Sequence, residues 1–259
     1  MREVLVDAID ENVLKALFND DISIVRVANF YPIDACELIS NRILESQLIG
    51  KYANAPDISR VGRAYFEKQS GLEASEDYNR NAIEWIGNIR GFVSPLQPPI
   101  DRLRLVLDEI WPAGATIATL EGRRAFCGLT RVFSAGARSD LHMDVLAWDM
   151  PEGCGDGRLA AQLAANIYTK MPSQGGDLLI WPRSLSRHEY EQFRIPGSYG
   201  VSANNLNSSP TRVAPNKGDL ILFNSHLVHA VQPGGPEDRI SCSCFIGLKA
   251  ERCPLQLWS

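Results

Sequence analysis

Four histidines occur in the chain, at His142, His188, His226 and His229, and one stands in a setting that suggests metal chemistry. His142 opens the triplet His142-Met143-Asp144, directly after a strand-like stretch and its turn. In extended backbone, residues two apart point to the same side, so an imidazole nitrogen and a carboxylate oxygen converge on one point. Two nitrogens and one carboxylate on one face of an iron ion leave three positions open, the donor set of non-haem Fe(II) oxygenases. Alone, such a pair is common, and a turn Asp beside a partly exposed His is the plainer reading. A third ligand is needed.

That ligand is sought downstream, where the buried-strand pattern GDLILF (218–223) runs into Asn224-Ser225-His226-Leu227-Val228-His229. His226 and His229 are three apart, so in a strand they face opposite sides and only one can serve. A tight turn, 233–237, leads on to Arg239-Ile240-Ser241. If this turn joins two antiparallel strands with Gln232 opposite Asp238, Val231 faces Arg239 and His229 faces Ser241. His229, Arg239 and Ser241 then share one face, with an imidazole beside a guanidinium and a hydroxyl. That suits a 2-oxo dicarboxylate: its 1-carboxylate and keto oxygen chelate iron, and its far carboxylate pairs bidentately with Arg239, assisted by Ser241. Asn166, Tyr168 and Lys170 alternate onto one strand face and are candidates for holding the same ligand, with solvent exposure the competing reading. Arg131 is a similar candidate. Tyr65, Phe66 and Trp85 are candidates for a substrate cavity against the alternative of a core role. His188, in a polar stretch, reads as solvated.

The elements that must position these groups change character along the chain. The first third reads as helical. Asp34 is a plausible N-cap, and Cys36, Leu38, Ile39, Ile43 and Leu44 fall on one helical face. Ile83, Ile86 and Ile89 continue the period, as do Leu103, Val106, Leu107 and Ile110, bracketed by Pro98-Pro99 and Pro112. Residues 51–72 have no sustained period and suit a connection or a loop over a binding site. From about residue 115, short strand-like runs at 129–136, 164–171, 176–182, 218–225 and 239–247 alternate with Gly- and Pro-rich turns. Residues 183–215 read as an insertion or long loop. The expectation is one α+β domain over 1–259, with 1–114 as mainly helical support and possible lid, and 115–250 as a jelly-roll core.

HMD at 142–144, GGDLLIW at 175–181, GDLILF at 218–223, His229 and RIS at 239–241 resemble the Fe(II)/2-oxoglutarate-dependent oxygenase superfamily over about residues 125–250. The order of the helices, LHMD and the segment KAERCPLQLWS are similar to freestanding small-molecule hydroxylases and halogenases of bacterial natural-product pathways. The resemblance implies a double-stranded β-helix, Fe(II) held by His142, Asp144 and His229, and 2-oxoglutarate and O2 as co-substrates. Arg239 and Ser241 would hold 2-oxoglutarate, with Asn166, Tyr168 and Arg131 as further candidates. It also implies hydroxylation of an amino-acid derivative, alkaloid or nucleoside in secondary metabolism. Halogenases of this type have Gly or Ala at the carboxylate position, leaving room for chloride. This chain has Asp144, which argues for oxygenation. Desaturation, epimerisation, ring formation and a non-oxidative cupin-like metal protein stay open, as does a carrier-bound substrate.

A net charge of −5 gives no reason to expect a nucleic acid or an acidic membrane as partner, and no apolar run reaches membrane-span length. The N-terminus lacks the basic and apolar regions of a signal peptide, so the expectation is a cytoplasmic protein. Six cysteines form no CxxC pair, which suits reduced thiols rather than a zinc site. The partner expected is therefore a small molecule.

Overall fold

The computed structural model describes residue 1, residues 3–52 and residues 54–259. Among the described residues, the α-helices are α1 (Glu11–Phe18), α2 (Ile33–Leu44), α3 (Leu72–Val93), α4 (Pro99–Ile110), and the short α5 (Leu146–Asp149) and α6 (Arg187–Phe193). The strands begin with β1 (Glu3–Val6), β2 (Ile24–Val27), β3 (Gly50–Lys51), β4 (Ile58–Val61), β5 (Ala115–Ile117), β6 (Thr119–Leu120), β7 (Arg123–Arg124) and β8 (Leu129–Phe133). They continue with β9 (Ala161–Lys170), β10 (Leu178–Ile180), β11 (Thr211–Val213), β12 (Leu220–Asn224), β13 (His229–Val231), β14 (Arg239–Leu248) and β15 (Leu255–Trp258).

Two sheets face each other as a double-stranded β-helix. The large one runs β1-β2-β12-β9-β14-β8-β4-β3, with β15 pairing β14 and β5. The small one runs β11-β10-β13. Strand alternation sorts the side chains into three apolar layers. Val25, Leu222, Ile167 and Cys242 point outward from the large sheet, where they pack with Leu14, Ile39 and Leu103 of the helices. Ile24, Ile221 and Phe223 point inward and meet Leu178, Ile180 and Val213 of the small sheet. The outer face of the small sheet is covered by Leu185, Val201 and Leu206, packed with Trp181 and Val228. Residues 183–215 thus form a cover with its own helix and strand rather than a bare loop. Among the described residues, no helix is long and apolar enough to cross a membrane.

The structure corrects three local expectations. The first 114 residues are not merely helical support, because β2 pairs with β12 inside the large sheet and β4 pairs with β8. Short four-residue strands such as IVRV carry too few residues to show a period. Helix α2 is capped by Pro32 and starts at Ile33, which puts Asp34 in its first turn, where a carboxylate favours the helix dipole. Most consequentially, β13 and β14 do not pair. β13 pairs with β10 in the small sheet, whereas β14 pairs with β8 and β9 in the large one. Residues 232–238 therefore cross between layers instead of closing a hairpin.

Candidate active site

His142 and His229 are joined by a two-residue antiparallel bridge: each backbone N–H donates to the other's carbonyl, at 2.9 and 2.8 Å. Residues directly opposite on adjacent strands project to the same side, and the two rings lie with centroids 4.3 Å apart. Both rings are oriented from behind. Nδ1 of His142 lies 2.8 Å from the Asp140 carbonyl, and Nδ1 of His229 lies 2.8 Å from that of Leu227. A carbonyl only accepts, so each Nδ1 carries a proton and each Nε2 is turned toward the common point. Asp144 completes the group, with Oδ2 3.2 Å from Nε2 of His229 and 3.9 Å from Nε2 of His142. The donor atoms of the three residues lie within 4.8 Å of one another.

The backbone of Asp144 is itself fixed. Its N–H donates to the Ser225 carbonyl at 3.1 Å, and its carbonyl accepts from Ser225 Oγ and Gln162 Nε2, each at 3.0 Å. Burial and the neighbouring His229 ring hold the His142 imidazole down to about 4, so it is neutral at pH 7. Burial alone would raise the Asp144 carboxyl, but His229, His142 and Arg131 hold it well below the usual carboxylate range. Two imidazole Nε2 atoms and a carboxylate converge on one point, where a cation would be held by all three. This donor set fits Fe(II).

The large sheet supplies a second group. Arg239 is directly opposite Phe133 on β8, and Ser241 is opposite Arg131. The Arg239 guanidinium lies between the rings of Phe133 and Tyr168, 4.9 Å from each centroid, and its Nε donates to the Gly176 carbonyl at 3.0 Å. Gly176 adopts φ +73°, and a Cβ there would stand 3.3 Å from Arg239 Cδ, so glycine allows this close approach. Arg239 is 4% exposed, yet no carboxylate lies within ion-pair distance among the described residues. Burial pulls its pKa below the ordinary value. The Tyr168 hydroxyl beside it is buried without a hydrogen-bond partner among the described residues. A buried cation without an anion and a buried hydroxyl without a partner are both costly, and one incoming carboxylate satisfies both. The cradle fits the far carboxylate of 2-oxoglutarate.

Both groups line one cavity of about 560 Å³ between the sheets. Of the residues singled out from the sequence, His142, Asp144, His229, Arg131, Asn166, Tyr168, Arg239, Ser241 and Phe66 line it. Lys170 does not. β9 bulges against β14, where Ile240 faces Lys170 but Ser241 already faces Tyr168, and the extra residue breaks the alternation. Tyr65 and Trp85 also lie outside it. Tyr65 is buried against Glu121 and Met150, and Trp85 packs on Tyr78 and Phe126. His226 sits in the turn before β13, outside the triad, and His188 is exposed.

Sequence reasoning missed Gln162 and Ser225, whose roles rest on backbone contacts, and the cavity residues Tyr52, Asp149, Arg187, Tyr190 and Tyr199. The lack of period in 51–72 and 183–215 was the only signal for most of these. Burial, with Asp144 nearby, raises the Asp149 carboxyl to about 7. A raised carboxyl pKa means the native state holds the proton better than the unfolded chain, so stability falls as pH rises from about 4 to 7. Asp149→Asn is therefore expected to stabilise the metal-free protein above pH 7 by about 1–2 kcal/mol, a gain that fades as pH approaches 4. Melting temperatures across that range check this. A gain that does not vary with pH would contradict it.

Residues 127–247 match the 2OG-Fe(II) oxygenase superfamily. The L-gamma-glutamyl-L-propargylglycine hydroxylase of Streptantibioticus cattleyicolor is 35% identical over 167 residues, covering 61% of this chain and 59% of that protein. This chain thus spans about three-fifths of the length of the curated relative it matches. A crystal structure of an N-substituted L-amino acid dioxygenase from Burkholderia ambifaria, in complex with alpha-KG, superposes with a TM-score of 0.64 at 13% identity, covering 95% of this chain and 90% of that one. A second structure of such a dioxygenase from the same organism gives 0.63 at 15% identity, covering 96% and 91%. These two likenesses bear on the fold.

Proposed function

We propose that the protein is an Fe(II)- and 2-oxoglutarate-dependent dioxygenase that hydroxylates a C–H bond of a small amino-acid-type molecule, a reading supported by the match of residues 127–247 to the 2OG-Fe(II) oxygenase superfamily. The observation that carries this reading is the division of the cavity. Three metal donors converge on one side, and an anion cradle without an anion, Arg239 with Tyr168 and Ser241, faces the same space. The substrate type draws on the relative from Streptantibioticus cattleyicolor, whose name specifies a hydroxylase of an amino-acid derivative.

Each residue has a definable task. His142 and His229 turn their Nε2 atoms toward the metal position, with their Nδ1 atoms committed to backbone carbonyls. Asp144 adds a negative charge at a position held by Ser225 and Gln162. It also occupies the position that a halide would otherwise take, which favours oxygenation. Arg239 and Tyr168 bind and orient the far carboxylate of 2-oxoglutarate, and Ser241 lies beside them on the same face. The bound iron and 2-oxoglutarate supply the O2-dependent oxidation that side chains cannot perform. Tyr52, Phe66, Trp148 and Tyr190 wall the cavity and keep water from the reacting C–H bond.

The test is anaerobic addition of Fe(II) and then 2-oxoglutarate, followed by a substrate screen. The expected result is a weak visible charge-transfer band that requires both components, and succinate release that rises with a true substrate. The product should gain one oxygen atom, whereas a product that lost hydrogen without gaining oxygen would identify a desaturase or cyclase on the same centre. An iron-loaded, folded protein without the band would sink the reading in favour of a non-oxidative cupin-like metal protein.

A further inference from the structure

We propose that the substrate carries a free carboxylate and that Arg131, a guanidinium on the same sheet face of the cavity as Arg239, receives it. The inference rests on the iron and 2-oxoglutarate reading above and moves Arg131 from the co-substrate candidates to the substrate site. Arg131 projects from β8 onto the inner face of the large sheet, where its Nη1 donates to Ser243 Oγ at 2.6 Å and its Nε to the Tyr52 hydroxyl at 3.3 Å. Both partners are neutral. No hydrogen bond from Nη2 and no carboxylate within ion-pair distance is found among the described residues.

Its neighbour Arg60 shows the contrast. Arg60 is directly opposite Arg131 on β4, and its guanidinium is ion-paired with Glu67. Glu67 is thereby committed, as is Glu191 to Arg194 at 3.4 Å on the far loop. A guanidinium lining a cavity without an anion is an incomplete site, since desolvation weakens water's compensation and the fork remains open.

Charge and position both separate Arg131 from the co-substrate. Fe(II) brings two positive charges, 2-oxoglutarate two negative ones and Asp144 one. With Arg239 and Arg131 added, these five groups sum to one positive charge, which a monoanionic substrate group neutralises. Arg239 is gripped by residues of the sheet floor, Phe133 and Tyr168. Arg131 instead bonds Tyr52, whose ring stacks on Phe66 with centroids 6.0 Å apart. Tyr52 and Phe66 belong to the segment between β3 and the start of α3, so Arg131 joins the large-sheet floor to a cavity wall outside the Arg239 cradle. The class expected is a small amino acid, N-acyl amino acid or short dipeptide with its carboxylate unblocked.

The experiment compares wild type with Arg131→Gln and Arg131→Lys, all loaded with Fe(II) and held without O2. First, 2-oxoglutarate is titrated by the visible band. Its dissociation constant should change by no more than about twofold in Arg131→Gln, because one unit of binding free energy near 1.4 kcal/mol is already tenfold. Second, L-amino acids, N-acetyl-L-amino acids and γ-linked dipeptides are each added as the free acid and as the primary carboxamide. Perturbation of the band and the rise in melting temperature report binding. Free acids should respond and carboxamides should not; the acid response should weaken at least tenfold in Arg131→Gln and recover partly in Arg131→Lys. Tenfold weaker 2-oxoglutarate binding in Arg131→Gln would overturn the proposal by assigning Arg131 to the co-substrate. Equal response to acid and amide, silence from every acid, or an undiminished response in Arg131→Gln would overturn it too. Failure of the band in wild type strikes instead at the underlying oxygenase reading and takes this inference with it.

Discussion

Asp144→Ala is expected to bind Fe(II) on the order of 10²-fold more weakly or worse and to lose 2-oxoglutarate turnover, while staying folded. The carboxylate supplies the negative charge of the donor set, beside a His142 ring that burial holds neutral. Removing one partner from a buried charged group costs about 3–5 kcal/mol, and Asp144, which is partly exposed, belongs at the lower end. Folding should survive because the clamp on residue 144 uses its backbone, through Ser225 and Gln162, and those bonds do not need the side chain. Anaerobic Fe(II) titration and circular dichroism measure the two effects separately. Iron affinity equal to wild type would remove Asp144 from the metal site.

Arg239→Leu should leave Fe(II) binding intact and weaken 2-oxoglutarate by about 30-fold to several thousand-fold, the range for truncating one side of a buried charge pair at 2–5 kcal/mol. Arg239→Lys should recover only part of this, since an ammonium cannot form the two-pronged contact of a guanidinium. The ligand-free protein gives a second and opposite signal. In it Arg239 is buried between two rings with no carboxylate beside it, so the leucine variant should melt at the same temperature or higher. Loss of stability in the absence of ligand would mean that the guanidinium has a structural task, and unchanged 2-oxoglutarate affinity would break the assignment. Tyr168→Phe is the milder companion, worth about 1 kcal/mol for one hydrogen bond.

Local pattern and long-range pairing were unequally legible in the sequence. The strands of the core announce themselves because each is a near-continuous apolar run bounded by glycine or proline, as in GDLILF before Asn224. The donor residues were legible for the same reason: His142 and Asp144 are neighbours in the chain, and His229 stands beside a strand whose pattern is strong. The way His229 comes to share a cavity with Arg239 was not legible. The expected hairpin put them on one sheet, and they share the cavity instead by facing each other from two sheets. Alternation within a strand says which residues share a face, but not which strand lies alongside. The bulge that turns Lys170 away is equally hidden, since one extra residue leaves no mark in composition. Tyr52 and Asp149 lie in stretches without period, where only tertiary contacts decide what faces inward.

Because the crossover at 232–238 sends the chain from one layer to the other, the site has a mechanical character. The candidate metal ligand His229 is on the small sheet, and its backbone partner His142 is tied to it, whereas Arg239, Ser241 and Tyr168 are on the large sheet. A molecule chelated at one end and gripped at the other is then a removable rivet through the sandwich. Its arrival would fasten two layers that the chain itself links on either side of β13 by the short crossovers 225–228 and 232–238. Binding and release of such a molecule would then tighten and loosen the seam between the sheets.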